Sequence, residues 1–321
     1  MTGYSVHPVT GLGEVRAGDD LATLLGGATD LRDGDVVVVT SKVVSKAEDR
    51  VVGGTKEDAV AAETARVVAR RGGTSIVRHH LGLVMAAAGV DASNTEPGTF
   101  VLLPLDPDGS AQALRERLHA TLGVNVAVLV SDTFGRAWRA GQTDVAIGAA
   151  GLEVLDDHGG RADAFGNPLV VTAPAVADQL TGAAELAQGK TTGVPAAVVR
   201  GLAVRVLPPG EHGPGAAALV RDEATDMFGL GAREAVTAAL TGDATGFGAA
   251  APAEVLLAAF DSLGLTATAV DVGTLRVRLP VDPRDAGRAE AALEAVALAH
   301  GWTRSVEDTS VDEATFHMAT P

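Results

Sequence analysis

The chain has 321 residues, no cysteine and a formal net charge of −16. The missing thiols exclude disulfides, thiolate zinc sites, cysteine-ligated iron–sulfur clusters and cysteine nucleophiles. The acidic balance and an aromatic content of only 3% argue against a nucleic-acid partner.

A hydrophobic content of 46% at this length supports a large core and more than one domain. No apolar run is long enough for a bilayer, and the N-terminus lacks the basic-then-apolar order of a signal peptide. The expectation is a cytoplasmic protein with no membrane partner. Val6–Val9 reads as a short strand weakened by Pro8, and 11–18 as a glycine-rich loop. Asp20–Leu25 reads as a helix capped by Asp19 or Asp20, and Val36–Thr40 as a buried strand followed directly by Ser41–Lys46. The spacing of Ala59, Ala62, Ala65 and Val68 predicts one helix over Lys56–Arg71, ending at Gly72-Gly73. Ser75–His79 follows as a strand, Leu81–Val90 as strand or short helix, Asp91–Gly98 as a loop and Val101–Leu105 as a strand. A helix over Ser110–Leu122 precedes the apolar run from Val126, which ends in Ser131-Asp132-Thr133. Further strands are expected at Gln142–Ile147, Leu169–Thr172 and Ala196–Arg200, with Leu202, Val204 and Val206 alternating as a partner of the last. A helix is expected over Ala175–Ala187. Beyond a linker-like stretch at 241–248, helices at Glu254–Phe260 and Asp285–His300 and strands at Thr266–Val270, Leu275–Leu279 and Trp302–Val306 make a small α+β module. The domains are set at 1–245 and 246–321.

The strand end Ser131-Asp132-Thr133 presents a carboxylate and a hydroxyl. It reads either as a holder of Mg²⁺, Mn²⁺ or phosphate, or as a cap on the next turn. Gly189-Lys190-Thr191 invites a phosphate-loop reading, but Ala184 stands where the first glycine is needed, and a helix rather than a strand precedes it. No G-x-G-x-x-G follows a strand, and no G-x-S-x-G is present. The 11–18 loop, Ser41 with Lys46, and Asp91 with Asn94 each offer anion or hard-cation chemistry. Their alternatives are an ordinary turn, a solvated lysine and an Asx-turn. The scattered histidines, His79-His80 among them, read as structural.

Taken together and in order, Thr40-Ser-Lys-Val-Val-Ser-Lys46, Ala88-Gly-Val-Asp91-Ala-Ser-Asn94, Ser131-Asp-Thr-Phe-Gly-Arg136, Gly141-Gln-Thr-Asp144-Val-Ala-Ile-Gly148, Gly189-Lys-Thr-Thr-Gly-Val-Pro195 and Val199-Arg-Gly201 resemble the coenzyme F420-0:L-glutamate ligases. The resemblance runs from about Val6 to Leu240. It implies an α+β fold of mixed and antiparallel sheets with packed helices. It also implies a GTP-dependent ligase that adds L-glutamate to coenzyme F420-0 and extends the tail through γ-linkages, by way of an acyl phosphate. A divalent ion (Mg²⁺ or Mn²⁺), potassium in some members and a homodimer belong to the same expectation. Carried over by position, Asp91 and Asp132 match metal ligands and Thr133 a ligand of a second metal. Leu12, Gly13, Glu14, Val15, Ser41, Lys46 and Asn94 match GTP contacts, and Asp91, Asp132 and Lys46 carry the catalysis. Lys190, where many archaeal members carry Gln or Glu and then an acidic stretch, is expected to replace a cation or to meet a phosphate. Arg136 or Arg139 is expected to grip an anionic group of a substrate or to form a structural ion pair. The segment from about Gly248 is too short for the flavin-binding nitroreductase-like domain fused to some actinobacterial relatives, and no flavin is expected. Another carboxylate–amine ligase, or a non-catalytic coenzyme-binding protein, stays open as an alternative on the same scaffold.

Overall fold

The computed structural model describes residues 3–93, 95–305 and 312–319. The chain forms two compact units, Met1–Val67 with Ile76–Val220, and Val68–Ser75 with Arg221–Pro321. Along the first lie β1 (Ser5–Val9), α1 (Leu21–Ala28), β2 (Val36–Thr40), α2 (Ser41–Ala47), β3 (Val51–Gly53) and α3 (Lys56–Glu63); β4 (Thr64–Arg71) and β5 (Thr74–His79) each have residues in Val68–Ser75 of the second; β6 (Val84–Ala86) and β7 (Thr99–Val101) belong again to the first. They are followed by α4 (Pro107–Leu122), β8 (Ala127–Arg136), β9 (Arg139–Ala150), α5 (Val176–Gln188) and β10 (Ala196–Arg200). The expected α+β class is what the structure shows, with mixed and antiparallel sheets.

The central sheet has the order β1-β10-β2-β8-β9, antiparallel throughout except for the parallel pair β2–β8. The strands β10 and β2 and the first half of β8 are apolar on both sides because both faces are covered there. Val37, Val39, Val128, Val130 and Val198 share one core with Ala22 and Leu25 of α1 and with Ala111, Leu114 and Leu118 of α4. Val36, Val38, Leu129 and Val199 share the other with Val176, Ala177, Leu180 and Ala184 of α5. Smaller sheets pair β3 with β7 and order β4-β5-β6.

Close packing of α4 on β9 leaves no room for a side chain at Gly148. A Cβ there would lie 2.2 Å from the carbonyl oxygen of Pro107. Nearby, the Asp108 carboxylate accepts from the Ala149 and Ala216 amides at 2.8 and 2.6 Å, which pins the start of α4 to the sheet. Because the obstacle is backbone, Gly148→Ala is expected to cost about 2 kcal/mol or more of stability. Urea unfolding is the check, and an unchanged midpoint would contradict the packing argument.

The second unit contains α6 (Ala232–Thr241), α7 (Ala253–Ser262), β11 (Ala267–Asp271), β12 (Thr274–Arg278), α8 (Pro283–Ala299), β13 (Trp302–Arg304) and β14 (Glu313–Met318). Its four-stranded antiparallel sheet has the order β11-β12-β14-β13. Leu275, Val277 and Phe316 face Leu256 and Phe260 of α7 and Leu293 of α8. The helix α6 and the strand β14 were not anticipated, and Val306, the expected end of β13, lies outside the described residues.

Several expectations are corrected. The single helix over Lys56–Arg71 stops at Glu63, and Thr64–Arg71 is a strand. Gly72-Gly73, read as a helix cap, is instead a two-residue turn to β5, and the β-branched run takes the sheet pairing offered across it. Leu169–Thr172 is irregular. Ala203–Arg205 is a 3₁₀ turn, with Val204 90% exposed, because both neighbours of β10 are already taken by β1 and β2. β7 covers Thr99–Val101 rather than Val101–Leu105. Strand β8 does not end at Ser131-Asp132-Thr133 but runs on to Arg136 in a long hairpin with β9.

Candidate functional site

The parallel register of β2 on β8 sets Thr40 beside Ser131, so the residues that follow, Ser41 and Asp132, emerge side by side. Ser41 opens α2 directly, and its Oγ donates to Asp132 Oδ1 at 3.0 Å. One turn later Lys46 reaches Glu14 of the glycine-rich loop, Nζ to Oε1 at 2.5 Å. Lys42, between them, meets Asp91 Oδ2 at 2.6 Å and donates to the Ser93 carbonyl at 3.0 Å. Asp91 is itself held by a backbone bridge to Val101, and its carboxylate closes an Asx-turn on the Ser93 amide at 2.7 Å. Thus the Asx-turn and a charged role coexist in one residue.

Residue alternation along β8 divides its polar end. Val128 and Val130 face the α1–α4 core, and Ala127 and Leu129 the α5 core. Continuing that alternation, Asp132 falls on the α1–α4 face, and Ser131 and Thr133 on the α5 face. A bulge opposite Val130–Ser131 brings Thr133 into register with Asp144. Ser131 Oγ donates to Asp144 Oδ2 at 3.0 Å, and Thr133 Oγ1 to Oδ1 at 2.7 Å. From the segment after α5, Lys190 Nζ comes 2.6 Å from Thr133 Oγ1, 3.1 Å from Asp144 Oδ1 and 2.8 Å from Glu185 Oε1.

Both groups line a single cavity of about 670 Å³ in the first unit. Gly13, Glu14, Val15, Ser41, Lys46, Asp91, Asp132, Thr133 and Lys190 are all on its wall, so most of the residues singled out in the sequence converge. Leu12 is not on that wall and packs against the α1–α4 core. Asn94 lies outside the described residues. Arg136 and Arg139 pair across the exposed end of the hairpin, away from the cavity lining, and the guanidinium of Arg136 donates to the Ala140 carbonyl.

Among the cavity residues that sequence reasoning did not single out are Lys42, Asp144, Glu185 and Gln188. Two of them carry a readable signal. Asp144 is an acid within a buried strand, 3% exposed. Glu185 is an acid in the last turn of a helix, where the helix dipole disfavours it. Gln188 is also buried, and its Nε2 has no partner among the described residues.

The electrostatics are unevenly balanced. Burial pushes the Asp132 carboxyl up to about 7, against the hydrogen bonds from Ser41 and the Thr133 amide, and the charges of Asp144 and Asp91 add to the rise. Burial also works against the charge on Asp91, but Lys42 and Ser93 outweigh it and hold that carboxyl below its ordinary range. Burial opposes the charge on Lys190 as well, yet Glu185 and Asp144 raise its pKa. Asp132 is therefore an anion short of a cation. Among the described residues, no three acidic or histidine side chains are grouped to cage an ion alone. Two hard carboxylates beside a roomy polar cavity fit the way Mg²⁺ or Mn²⁺ is held with a nucleotide, by one or two carboxylates with phosphate oxygens completing the shell.

No helix among the described residues is long and apolar enough to cross a membrane. The profile of the F420-0:Gamma-glutamyl ligase family matches residues 11–74 and 53–201. The coenzyme F420:L-glutamate ligase of Archaeoglobus fulgidus is 40% identical over 221 residues, covering 62% of this chain and 88% of that protein. The protein of the same name from Methanopyrus kandleri is 39% identical over 246 residues, covering 70% and 96%. That of Methanothermobacter thermautotrophicus is 39% identical over 228 residues, covering 62% and 89%. With its cavity built from residues inside the matched segments, the chain belongs to the F420-0:Gamma-glutamyl ligase family.

Proposed function

We propose that this chain is a GTP-dependent ligase that joins L-glutamate to coenzyme F420-0, and adds further glutamates by γ-linkage, through an acyl phosphate. The observation that carries the reading is the meeting of Asp91 and Asp132 with the ammonium groups of Lys42, Lys46 and Lys190 around one polar cavity. A free carboxylate resists attack by an amine. Transfer of a γ-phosphoryl group to its oxygen turns that oxygen into a leaving group, and the amine nitrogen then bonds to the carbonyl carbon as phosphate departs with the C–O electron pair.

A Mg²⁺ or Mn²⁺ ion held by Asp91 and Asp132 would supply charge neutralisation at the phosphates. The chain's own groups set the rest. Ser41 fixes the orientation of Asp132 by its hydrogen bond. Lys42 keeps Asp91 ionised and so ready as a ligand. Lys46, tethered to Glu14, places a positive charge beside the glycine-rich loop, where a triphosphate finds backbone amides. On this reading the catalytic part is 1–245, which contains the whole cavity lining from Gly13 to Pro195, and 246–321 has a separate role; the compact units themselves divide at Val220.

The test combines mass spectrometry of the deazaflavin with an assay of GDP release. With GTP, Mn²⁺ and glutamate, the product is expected to be heavier by one or more glutamyl residues, and GDP release is expected to need both acceptor and amine. Release that requires glutamate but not the deazaflavin would overturn the substrate assignment.

A further inference from the structure

We propose that Lys190 is a cation built into the fold, holding the place beside Thr133 that a second divalent ion would take, so that the cavity accepts one divalent ion per chain and not two. The inference rests on the proposed metal- and nucleotide-binding reading of the cavity and departs from the second metal position expected at Thr133.

Three oxygens from three elements converge on one nitrogen. Thr133 Oγ1 of β8, Asp144 Oδ1 of β9 and Glu185 Oε1 of α5 lie 2.6, 3.1 and 2.8 Å from Lys190 Nζ. These are lengths of charge-assisted hydrogen bonds, and an ammonium has three protons to place in them. A Mg²⁺ ion needs oxygens at 2.0–2.1 Å in an octahedron, which the same three atoms cannot provide while they surround an ammonium. A protonated lysine has no lone pair to offer a metal.

The oxygens are also positioned independently of Lys190. Asp144 is 3% exposed and accepts from Ser131 at 3.0 Å and from Thr133 at 2.7 Å. Glu185 Oε2 accepts the Asp144 amide at 2.9 Å. What remains is a pre-formed cradle of hard oxygens whose occupant is supplied by the chain. On the Asp132–Asp91 side Lys42 binds Asp91, while Asp132 takes neutral hydrogen bonds, from Ser41 and the Thr133 amide, and the described residues show no ammonium on it, so the divalent ion belongs there. Alternation along β8 separates the two places, since Asp132 and Thr133 point to opposite faces.

The experiment counts Mn²⁺ by electron paramagnetic resonance on metal-stripped full-length protein saturated with GDP. Wild type is expected to bind one Mn²⁺ per chain. Lys190→Glu, which exchanges the ammonium for a third carboxylate, is expected to bind two. Lys190→Gln is the milder variant, with the same count of two reached only at higher Mn²⁺. Two ions on wild type, or one ion on both variants, would overturn the inference while leaving the metal-dependent reading intact. No bound Mn²⁺ on wild type would overturn that reading and the inference with it. Lys190→Gln is expected to melt within a few degrees of wild type, because the Lys190 side chain is 56% exposed, and Lys190→Glu to melt lower when metal-free and to recover on Mn²⁺, because its carboxylate meets those of Asp144 and Glu185.

Discussion

Asp132→Asn is expected to silence ligation while making the metal-free protein harder to unfold at pH 8. The two effects have one cause. Asp132 lies partly buried within β8, with Asp144 and Asp91 nearby, and desolvation puts its carboxyl at about 7 in place of the usual 3.8. Between those values the folded chain holds a proton that the unfolded chain has released, so stability falls as pH rises from about 3.8 to about 7 and stays lower above that. An amide of the same shape removes this cost. The melting temperature of the metal-free variant should therefore exceed that of wild type by roughly 5 °C at pH 8, with the gap closing near pH 4. Added Mn²⁺ is expected to raise the melting temperature of wild type and to leave the variant nearly unmoved. Loss of an anionic ligand at the phosphates should lower turnover by on the order of a thousandfold or more. Full activity in the variant, or a metal-free variant that melts below wild type at pH 8, would contradict the assignment.

The largest expected loss of stability comes from Arg115→Ala. Arg115 lies on α4, 3% exposed, and spends its whole guanidinium on the chain. Nε donates to the Val126 carbonyl at 2.8 Å, just before β8. Nη1 donates to the Glu211 carbonyl at 2.7 Å, and Nη2 to the carbonyls of Leu207 and Pro208 at 2.9 and 3.0 Å and to Asn125 Oδ1 at 2.9 Å. Gly151 makes room for it, since a Cβ there would stand 2.2 Å from Arg115 Nε. Removing the donor strands several carbonyls away from water and frees the 207–212 segment from the sheet. A cost of about 3–5 kcal/mol is expected, a large part of the total stability of a domain. Urea unfolding of the first unit checks it, and a shift below about 1 kcal/mol would mean that water replaces the guanidinium without loss. Lysine at this position should recover little, because three rotating donors cannot match a planar fork.

How much of this could be read in advance depended on whether local sequence decided the outcome. β2, with four consecutive valines, and β10 were legible because burial on both faces leaves an unbroken apolar run. α4 was legible over Ser110–Leu122, while its first turn from Pro107, capped by Asp106, was not. The change from α3 to β4 was not: Lys56–Arg71 satisfies both periods, and only pairing with β5 selects the strand. The candidate site was half visible. Asp91, Asp132, Thr133, Ser41 and Lys46 announce themselves as polar residues at the ends of apolar runs. Asp144 and Glu185 do not, because each becomes a partner only when the hairpin and α5 are in place. Of the two lysines after β2 the sequence pointed to Lys46 alone, and only the fold assigns Lys42 to Asp91 and Lys46 to Glu14.

The opposite orientation of Asp132 and Thr133 divides the charges of the cavity into two sets. A single peptide unit acts as a partition, with one chemistry on each side and no shared side chain across it. The 189–193 segment lines the cavity, and its Lys190 bonds to the Thr133 side. A change at Lys190 therefore alters the charge held by Thr133, Asp144 and Glu185 directly, and reaches Asp132 through space, by way of the field of Asp144.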